Sequence, residues 1–395
     1  MTSILSWALA VLAVPVLAAA AYLGALAALA RALPPPPAST TRRRFAFVVP
    51  AHDEEAGIAA TVRSLLAVRY PASLFRVLVV ADNCRDRTAE RAVEAGAEVL
   101  VRDDDARRGK GYALDHAFAA VERDDLADAV VVVDADTLVS ENLLEAFSAR
   151  LDAGAGAVQA DYGVRNADAG WRTRLMALAF AIFHGVRSLA RERVGLSCGL
   201  RGNGMCFTRR VLREVPHHAY SVVEDLEYGI RLGEAGIRVH YAPEAHVWGE
   251  MPSTGGGSVV QRRRWEGGRR AIFRARAARL LARGLAERDP VLLDLFLDLA
   301  VPPLTRLCLA ALAGTAAGGL LALASGRAPT PLWLFAAADL CLVAYVVRGA
   351  RLSGPGGLRD LALAPAYVLW KLGLLVVRPG KPQTAWVRTP REGKP

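Results

Sequence analysis

Two carboxylates stand at a spacing that could bind a cation. Asp134 and Asp136 follow a run of four valines in the segment DAVVVVDAD. Side chains alternate along a strand, so carboxylates at positions i and i+2 can approach the same side of a strand end. Such a pair suits a hard divalent cation that already carries phosphate oxygens. The alternative is a pair of acids in an ordinary strand-end turn, because a motif this short is not specific.

A second acidic pair, Glu224 and Asp225, stands at the start of a helical pattern, SVVEDLEYGIRL. Carboxylates are favoured at a helix N-terminus, so a capping role is one interpretation. The other is a general base that removes a proton from an acceptor hydroxyl.

Further polar residues follow the first two predicted strands. Pro50, His52 and Glu54 belong to the segment PAHDEE after the first strand, and Asp82 ends the second. A carboxylate at Asp82 can accept hydrogen bonds from a base N–H or from ribose hydroxyls. An Asx turn leading into the helix from Asp86 is compatible with that role.

Basic residues that could meet phosphates occur at two places. Lys110 is flanked by glycines just before a helical segment, although the sequence is not a Walker A motif. Gln261, Arg264 and Trp265 belong to the segment QRRRW, in which arginine can clamp a diphosphate and the indole can stack on a sugar ring. A basic interfacial stretch with a tryptophan anchor, which residues 262–283 also resemble, is the alternative.

The elements that must position these groups alternate between strands and helices. The predicted strands are 45–50, 75–82, 97–102 and 128–136, and the predicted helices between them are 54–67, 86–95 and 111–122. This alternation predicts an α/β domain, Rossmann-like, with a mostly parallel sheet and helices on both faces. Ligands bind such sheets at the carboxyl ends of the strands, where the acidic residues gather.

The N-terminus carries a predicted membrane helix. Residues 4–30 are apolar and uncharged, and about 20 such residues suffice to span a bilayer. A cleaved signal peptide is disfavoured because no basic region precedes the run and the run is long. Arginines follow the run: Arg31, Arg42, Arg43 and Arg44. The positive-inside rule then places the central domain in the cytoplasm, at the inner membrane of a cell.

The C-terminal third is apolar again. Residues 300–324 and 331–347 are predicted spans, and Arg348 marks a return to the cytoplasm. Residues 360–377 are long enough to span but contain Pro365 and Lys371, so a re-entrant or interfacial course stays open.

Composition agrees with this segregation of apolar and polar segments. The 395 residues are 53% hydrophobic and 22% charged, with a net charge of +10. The arginine excess near the apolar segments favours contact with lipid headgroups and phosphates. No helix-turn-helix, zinc-finger or RRM signature accompanies it, so we expect no nucleic-acid partner. The five cysteines are odd in number and lack CxxC spacing, which argues against a disulfide framework or a zinc site.

Taken together, the ordered motifs resemble those of the family 2 inverting glycosyltransferases with a GT-A fold, which include cellulose, chitin and hyaluronan synthases. VVPAHDEE is similar to the first-strand motif of that family, and QRRRW matches its QxxRW signature. The resemblance covers about residues 45–270. One departure is that Asp53 stands where many relatives have an asparagine before the glutamate.

The resemblance implies a role for each motif. The resemblance implies that Asp82 and the first-strand loop would hold the nucleotide of a UDP-sugar. Asp134 and Asp136 would meet the diphosphate and its Mg²⁺ or Mn²⁺, with Asp136 as the metal ligand. Asp225 would be the catalytic base. The remaining substrate-binding residues would be Lys110, Glu224, Gln261, Arg264 (facing the leaving diphosphate) and Trp265 (at the acceptor end).

The chain then divides into six predicted parts. They are a membrane helix (1–32), a basic and proline-rich linker (33–44), a glycosyltransferase domain (45–270), a basic amphipathic interfacial region (271–299), C-terminal membrane segments (300–377) and a basic tail (378–395).

Several readings of the function stay open. Ceramide glucosyltransferases resemble the same layout and add one sugar to a lipid, whereas a polysaccharide synthase needs a secretion channel. Three or four apolar segments would line only a thin channel, which favours transfer of one or a few sugars unless a homo-oligomer completes the channel. A non-catalytic nucleotide-sugar-binding protein would be expected to lack the base or the metal pair. A dinucleotide-dependent oxidoreductase would need G-x-G-x-x-G after the first strand, where PAHDEE stands instead.

Overall fold

The computed structural model describes residues 2–251, 255–363 and 365. A long N-terminal helix leads into a sheet covered by helices, and further helices follow. The strands are β1 (Phe45–Ala51), β2 (Phe75–Asp82), β3 (Glu98–Arg102), β4 (Ala129–Val132), β5 (Thr137–Val139), β6 (Ala157–Val164), β7 (Met205–Thr208) and β8 (Val239–Gly249). The helices are α1 (Thr2–Leu29), α2 (Ile58–Leu66), α3 (Thr88–Glu94), α4 (Lys110–Asp124), α5 (Leu143–Asp152), α6 (Trp171–Phe180), α7 (Arg187–Arg193), α8 (Arg209–Glu214), α9 (Glu224–Glu234), α10 (Gly255–Glu287), α11 (Pro290–Ala300), α12 (Leu304–Ser325), α13 (Thr330–Leu352) and α14 (Gly357–Asp360).

The eight strands form one mixed sheet in the order β3-β2-β1-β4-β7-β6-β8-β5. Four pairings are parallel and three are antiparallel. The four strands predicted from the sequence are β1 to β4, and they form a continuous parallel half. The antiparallel pairings all involve the strands from β5 onward, for which the sequence analysis assigned no strands.

The central strand β4 ends at Val132, before the acidic pair. The chain then crosses from the middle of the sheet to its edge, where β5 pairs with β8. Asp134 and Asp136 therefore lie in the connection between β4 and β5. This places both acids at the carboxyl ends of the parallel strands, where α/β sheets bind ligands.

Hydrophobic cores cover both faces of the sheet. Along β1, Phe47 and Val49 face one core, and Ala46 and Val48 face the other, because successive side chains of a strand point to opposite faces. The second core continues into the helices at the chain ends, where it includes Leu23 of α1. The sheet and these helices therefore share one packed interior.

Among the described residues, three helices are long and apolar enough to cross a membrane: Ile4–Leu29, Leu304–Ser325 and Thr330–Leu352. They correspond to the predicted spans 4–30, 300–324 and 331–347. The helices α12 and α13 pack closely at Gly314, where a Cβ atom would overlap the ring of Phe335. Small residues permit such close approach between apolar helices.

The part of the chain that follows the sheet is divided differently from the predicted domain boundaries. The domain boundary at residue 270 lies within α10, which is one continuous helix. The predicted interfacial region, 271–299, is the second half of α10 together with α11. Of the predicted segment 360–377, only 360–363 and 365 are among the described residues, and the predicted tail 378–395 lies outside them.

Candidate active site

One cavity of about 710 Å³ opens at the carboxyl ends of the parallel strands. All twelve residues that the sequence analysis selected line it: Pro50, His52, Glu54, Asp82, Lys110, Asp134, Asp136, Glu224, Asp225, Gln261, Arg264 and Trp265. These residues come from segments up to 215 positions apart (265 minus 50), so only the fold brings them together.

The turn that carries the two acids is held by buried amides. The backbone N–H of Asp134 donates to Oδ1 of Asn203 at 3.1 Å, and Nδ2 of Asn203 donates to Oγ1 of Thr137 at 2.8 Å. Asn203 is fully buried, and its backbone carbonyl oxygen accepts a hydrogen bond from Nε2 of Gln159 at 2.7 Å. Buried polar groups of this kind fix a single backbone geometry, because each unmade bond is costly. The sequence around Asn203 carries no motif that indicates this support.

Lys110 links the acidic pairs. Its Nζ atom lies 2.5 Å from Oδ1 of Asp134, 2.5 Å from the carbonyl oxygen of Gly202 and 3.7 Å from Oε1 of Glu224. Burial would lower the pKa of Lys110, but the carboxylates of Asp134 and Glu224 outweigh it and raise that pKa. The lysine is therefore charged and partly neutralises the acidic end of the cavity.

Glu224 and Asp225 are the first two residues of α9. Burial raises the pKa of Glu224 to about 7, and Asp225 adds to the increase while Lys110 opposes it. Burial also raises the pKa of Asp225, against a hydrogen bond from the backbone of Leu226 and the charge of Lys110. Backbone amides thus contact these carboxylates, although the N-cap residue of α9 is Val223, whose side chain makes no capping hydrogen bond. The pKa of Glu224, at about 7, suits a group that accepts a proton near neutral pH, and the pKa of Asp225 is shifted in the same direction.

Asp82 is already paired at the end of β2. Its Oδ1 atom accepts hydrogen bonds from Nη1 of Arg102 at 2.5 Å and from Nδ2 of Asn83 at 3.1 Å. Nδ1 of His52 lies 2.7 Å from the backbone carbonyl oxygen of Asp82. Arg102, on the edge strand β3, was not among the sequence-predicted residues, because nothing in its local pattern indicates this partner.

Two tyrosines, Tyr112 and Tyr220, line the same side of the cavity. Their rings stack with centroids 4.3 Å apart and planes 12° apart, and the guanidinium of Arg102 lies 5.9 Å from the centroid of Tyr112. The pair offers a flat aromatic surface, of the kind on which planar groups stack.

The loops after β1 and β2 hold each other through their acids. Asp86 accepts a hydrogen bond from the backbone N–H of Thr88 at 3.0 Å, which is the predicted Asx turn. Asp53 accepts one from the backbone N–H of Arg85 at 2.7 Å. Asp53, Cys84 and Asp86 also form the one group of three close metal-ligating side chains found among the described residues. This group is separate from Asp136, and backbone amides already occupy both of its carboxylates.

The QxxRW residues lie on α10 and line the cavity. Trp265 packs near Phe180, with ring centroids 6.3 Å apart. Gln261 is buried, and its Oε1 atom and Nε of Arg264 have no hydrogen-bond partner within the described part of the chain. Buried polar atoms without partners are available to a ligand.

Tyr162 of β6 also lines the cavity and was missed by the sequence analysis. Burial raises its pKa well above the usual value, and the carboxylates of Asp134 and Asp136 add to the increase. Its ring packs edge-on to Phe180 at 5.1 Å and stacks on His184 at 5.7 Å. Tyr162 therefore presents a neutral phenol beside the acidic pair.

Comparison with known proteins identifies the family. Residues 42–268, more than half of the chain, match the family model described as glycosyltransferase like family 2. The chain belongs to this glycosyltransferase family, which confirms the predicted family and enzyme class.

Individual relatives are more distant. A probable glycosyltransferase of Bacillus subtilis, YdaM, is 26% identical over 258 residues, which are 63% of this chain and 60% of that protein. The poly-beta-1,6-N-acetyl-D-glucosamine synthase of Staphylococcus aureus (strain COL) is 25% identical over 236 residues, 58% of this chain and 55% of that protein. The chain thus matches somewhat over half the length of these curated relatives.

Among solved structures, the mannosyltransferase PcManGT from Pyrobaculum calidifontis, in complex with GDP-Man and Mn²⁺, is similar over 88% of this chain and 99% of its own. The TM-score is 0.54 at 20% sequence identity. This likeness concerns the fold, and it confirms the predicted α/β domain of the GT-A type.

Proposed function

We propose that this protein is a membrane-bound inverting glycosyltransferase. It would transfer a sugar from a nucleotide sugar to a saccharide or lipid-linked acceptor. The observation that carries the proposal is the convergence of Asp136, Asp225 and Arg264 on one cavity at the carboxyl ends of the sheet. A metal ligand, a base and a cation for the leaving group are the parts that a single displacement at a sugar carbon requires.

The proposed membrane arrangement is based on the three apolar helices. The helices Ile4–Leu29, Leu304–Ser325 and Thr330–Leu352 anchor the protein, and the catalytic domain, 45–270, lies on the cytoplasmic side of the inner membrane. Support comes from the arginines that follow α1, since basic residues stay on the cytoplasmic side. Residues 271–299 lie at the lipid interface.

The donor binds at the end of the cavity that Asp82 and the first-strand loop form. We propose a UDP-sugar, because a carboxylate at Asp82 can accept the N–H of a pyrimidine base while Pro50, His52 and Glu54 border the nucleotide. The stacked rings of Tyr112 and Tyr220 supply an aromatic wall on this side.

A divalent ion, Mg²⁺ or Mn²⁺, fits the residues at the acidic turn. Mg²⁺ and related hard cations are held by one or two carboxylates together with substrate phosphates. Asp136 supplies such a carboxylate, and Asp134 supports it while paired with Lys110. The PcManGT structure carries Mn²⁺ together with its nucleotide sugar. When bound, the ion would neutralise charge on the diphosphate.

The other cavity side chains have separate roles in the proposed transfer. Asp225 accepts the proton of the acceptor hydroxyl, and its raised pKa suits that task. Arg264 neutralises the leaving diphosphate, and Lys110 and Gln261 orient it. Trp265 borders the acceptor, and Glu224 tunes the base through its neighbouring charge. Because the base and the leaving group act on opposite sides of the sugar carbon, one displacement inverts its configuration.

A single-sugar glycolipid synthase is the alternative with respect to the acceptor. Within the described residues, three helices are apolar and long enough to cross a membrane. So few helices favour a lipid acceptor that stays in the bilayer over a channel for a polymer, unless copies of the chain associate.

The full chain, purified in lipid nanodiscs, can be given a panel of radiolabelled UDP- and GDP-sugars with bacterial membrane lipids and Mn²⁺. We expect label to move into the organic fraction or into insoluble material, and an Asp225→Asn control to leave it in the aqueous donor. If no nucleotide sugar, UDP- or GDP-linked, yields labelled product, the proposed function is wrong.

A further inference from the structure

A cluster of arginines lies behind the part of the cavity wall that Arg201 lines. It contains four guanidinium groups and two carboxylates: Arg187, Arg191, Arg201, Arg269, Asp294 and Asp298. Arg187 and Arg191 each donate to Oδ1 of Asp298 at 2.7 Å, and Arg269 approaches its Oδ2 at 3.3 Å. Asp294 accepts from Nε of Arg191 at 2.7 Å. Both carboxylates are therefore already used by arginines other than Arg201.

Arg201 itself faces the cavity and forms no ion pair with any described carboxylate. Its Nη2 atom donates to the backbone carbonyl of Cys198 at 2.9 Å, and its Nε atom is buried without a hydrogen-bond partner among the described residues. Its guanidinium lies 5.3 Å from the ring centroid of Phe183, and those of Arg187 and Arg269 lie 4.2 and 5.9 Å from the same ring. Three cations thus surround one aromatic ring.

The charges of this cluster do not balance. Four guanidiniums face two carboxylates within the cluster, and Asp225, in the cavity, is a further carboxylate whose charge acts on Arg201. Counting Asp225, one positive charge remains uncompensated in a largely buried region. Burial lowers the pKa of Arg201, and the charges of Arg191 and Arg187 add to the decrease while Asp298 opposes it. An unpaired buried charge is unfavourable, so an anion bound at Arg201 would be strongly stabilised.

The position of Arg201 assigns that anion to the acceptor side. Gly202 is adjacent to the proposed base, since a Cβ atom there would lie 3.3 Å from Oδ2 of Asp225. On its other side the cluster reaches the apolar helices, where Arg187 bonds to the hydroxyl of Tyr345 at 2.9 Å and Arg191 to that of Tyr22 at 2.6 Å. The arginine cluster therefore lies between the proposed base, Asp225, and the apolar helices.

We propose that Arg201 binds an oxyanion of the acceptor, so that the acceptor of this enzyme carries a phosphate group. The proposal deepens the proposed function and rests on it. Asp225 does not supply the missing charge during the reaction, because it becomes neutral when it accepts the acceptor's proton. The phosphate can belong to a lipid headgroup or to a soluble sugar phosphate, and both would present the same oxygens to the guanidinium.

Binding to the full chain in detergent micelles tests this without a transfer assay. The wild-type protein is saturated with UDP and Mn²⁺ and then titrated with inorganic phosphate. Separate titrations use mixed micelles of phosphatidic acid or, as the comparison without phosphate, diacylglycerol. We expect phosphate and phosphatidic acid to bind while the nucleotide stays bound. Tighter binding of phosphatidic acid than of phosphate identifies a lipid acceptor, and equal binding a soluble one.

Variants then assign the site. Arg201→Gln is expected to weaken phosphate binding about tenfold or more, with UDP affinity changed less than about twofold. Arg201→Lys keeps the charge and should restore part of the affinity. Arg213→Gln removes an exposed arginine and should change neither ligand. If Arg201→Gln does not fold, Arg201→Lys and the wild-type titrations decide.

Three results would overturn the inference. They are no phosphate binding to the UDP-bound wild type, unchanged phosphate binding in Arg201→Gln, and equal loss of UDP and phosphate affinity, which would place Arg201 at the donor diphosphate. In each of these three cases, the proposed function would still stand as long as the wild type binds UDP. Failure of the wild type to bind either UDP or GDP would instead overturn both.

Discussion

The ammonium group of Lys110 lies 2.5 Å from Oδ1 of Asp134, and so joins the N-terminus of α4 to the acidic turn after β4. The same ammonium lies 3.7 Å from Oε1 of Glu224, at the start of α9. One cation therefore connects the acids proposed for the diphosphate with the acids proposed for the base. Without it, four carboxylates would face the same cavity with much less compensation.

Replacing Lys110 should weaken donor binding. In Lys110→Met the aliphatic stem is kept and the charge is lost, so negative donor phosphates would meet an uncompensated Asp134. We expect the affinity for UDP with Mn²⁺ to fall about tenfold or more, measured by calorimetry. Lys110→Arg serves as the control that keeps the charge. Equal affinity in Lys110→Met and the wild type would show that the lysine has only a structural role.

The raised pKa of Glu224 predicts two effects of pH. Its value rises from an ordinary 4.5 to about 7, so the folded protein binds more protons than the unfolded chain between these values. Stability from this group is present below pH 4.5 and is lost as pH rises towards 7. Activity should run the opposite way, because the acidic pair must lose a proton before it can act as a base.

Glu224→Gln separates these effects. Removing the neighbouring negative charge should move the acid limb of kcat/KM to lower pH and reduce the loss of thermal stability between pH 4.5 and 7. Glu214→Gln, an exposed acid on α8, is the matched control. An acid limb that stays in place would contradict the electrostatic link between Glu224 and Asp225.

The position of the metal can be tested against a rival group. Asp136→Ala should abolish the part of UDP affinity that depends on Mn²⁺, on the order of tenfold or more, because it removes a hard oxygen ligand. Cys84→Ala alters the Asp53–Cys84–Asp86 group and should leave that dependence unchanged. Calorimetry with and without Mn²⁺ measures both. The opposite pattern would move the ion to the loops after β1 and β2.

Much of this site could be predicted from the sequence because its signals are local. The run of valines before Asp134, the acids at a helix start and the QxxRW spacing are all visible along the chain. The parallel half of the sheet followed from the same periodicity, with β2 at its predicted bounds.

The rest depends on contacts between distant segments. Arg102 meets Asp82 across neighbouring strands, and Asn203 supports a turn 69 residues away, yet neither sequence neighbourhood indicates its partner. Tyr162 and Arg201 line the cavity, but the strand and the loop that carry them contain no recognisable motif. Periodicity reports which face of an element is buried, and does not report what lies against it.

Asp298 should hold α7, α10 and α11 together. Burial raises its pKa, but four arginines outweigh this and hold the pKa well below the usual range. Asp298→Asn would leave these guanidiniums with one carboxylate, and breaking a buried pair costs about 3–5 kcal/mol. We expect a clearly lower thermal unfolding midpoint for the detergent-solubilised chain. Glu214→Gln, which removes an exposed pair, should change stability by less than about 1 kcal/mol, and an equal effect of both changes would contradict this role.

The most direct test of glycosyl transfer at this cavity is the comparison of Asp225→Asn with the wild type, once the sugar panel has identified a substrate. The amide keeps the shape of the side chain and cannot accept the acceptor's proton. We predict that the transfer rate falls about 10²- to 10⁴-fold, while the affinity for UDP with Mn²⁺ stays within about twofold of the wild-type value. A variant that transfers sugar at the wild-type rate, or that loses UDP binding with no separate loss of catalysis, would contradict the assignment of Asp225 as the base.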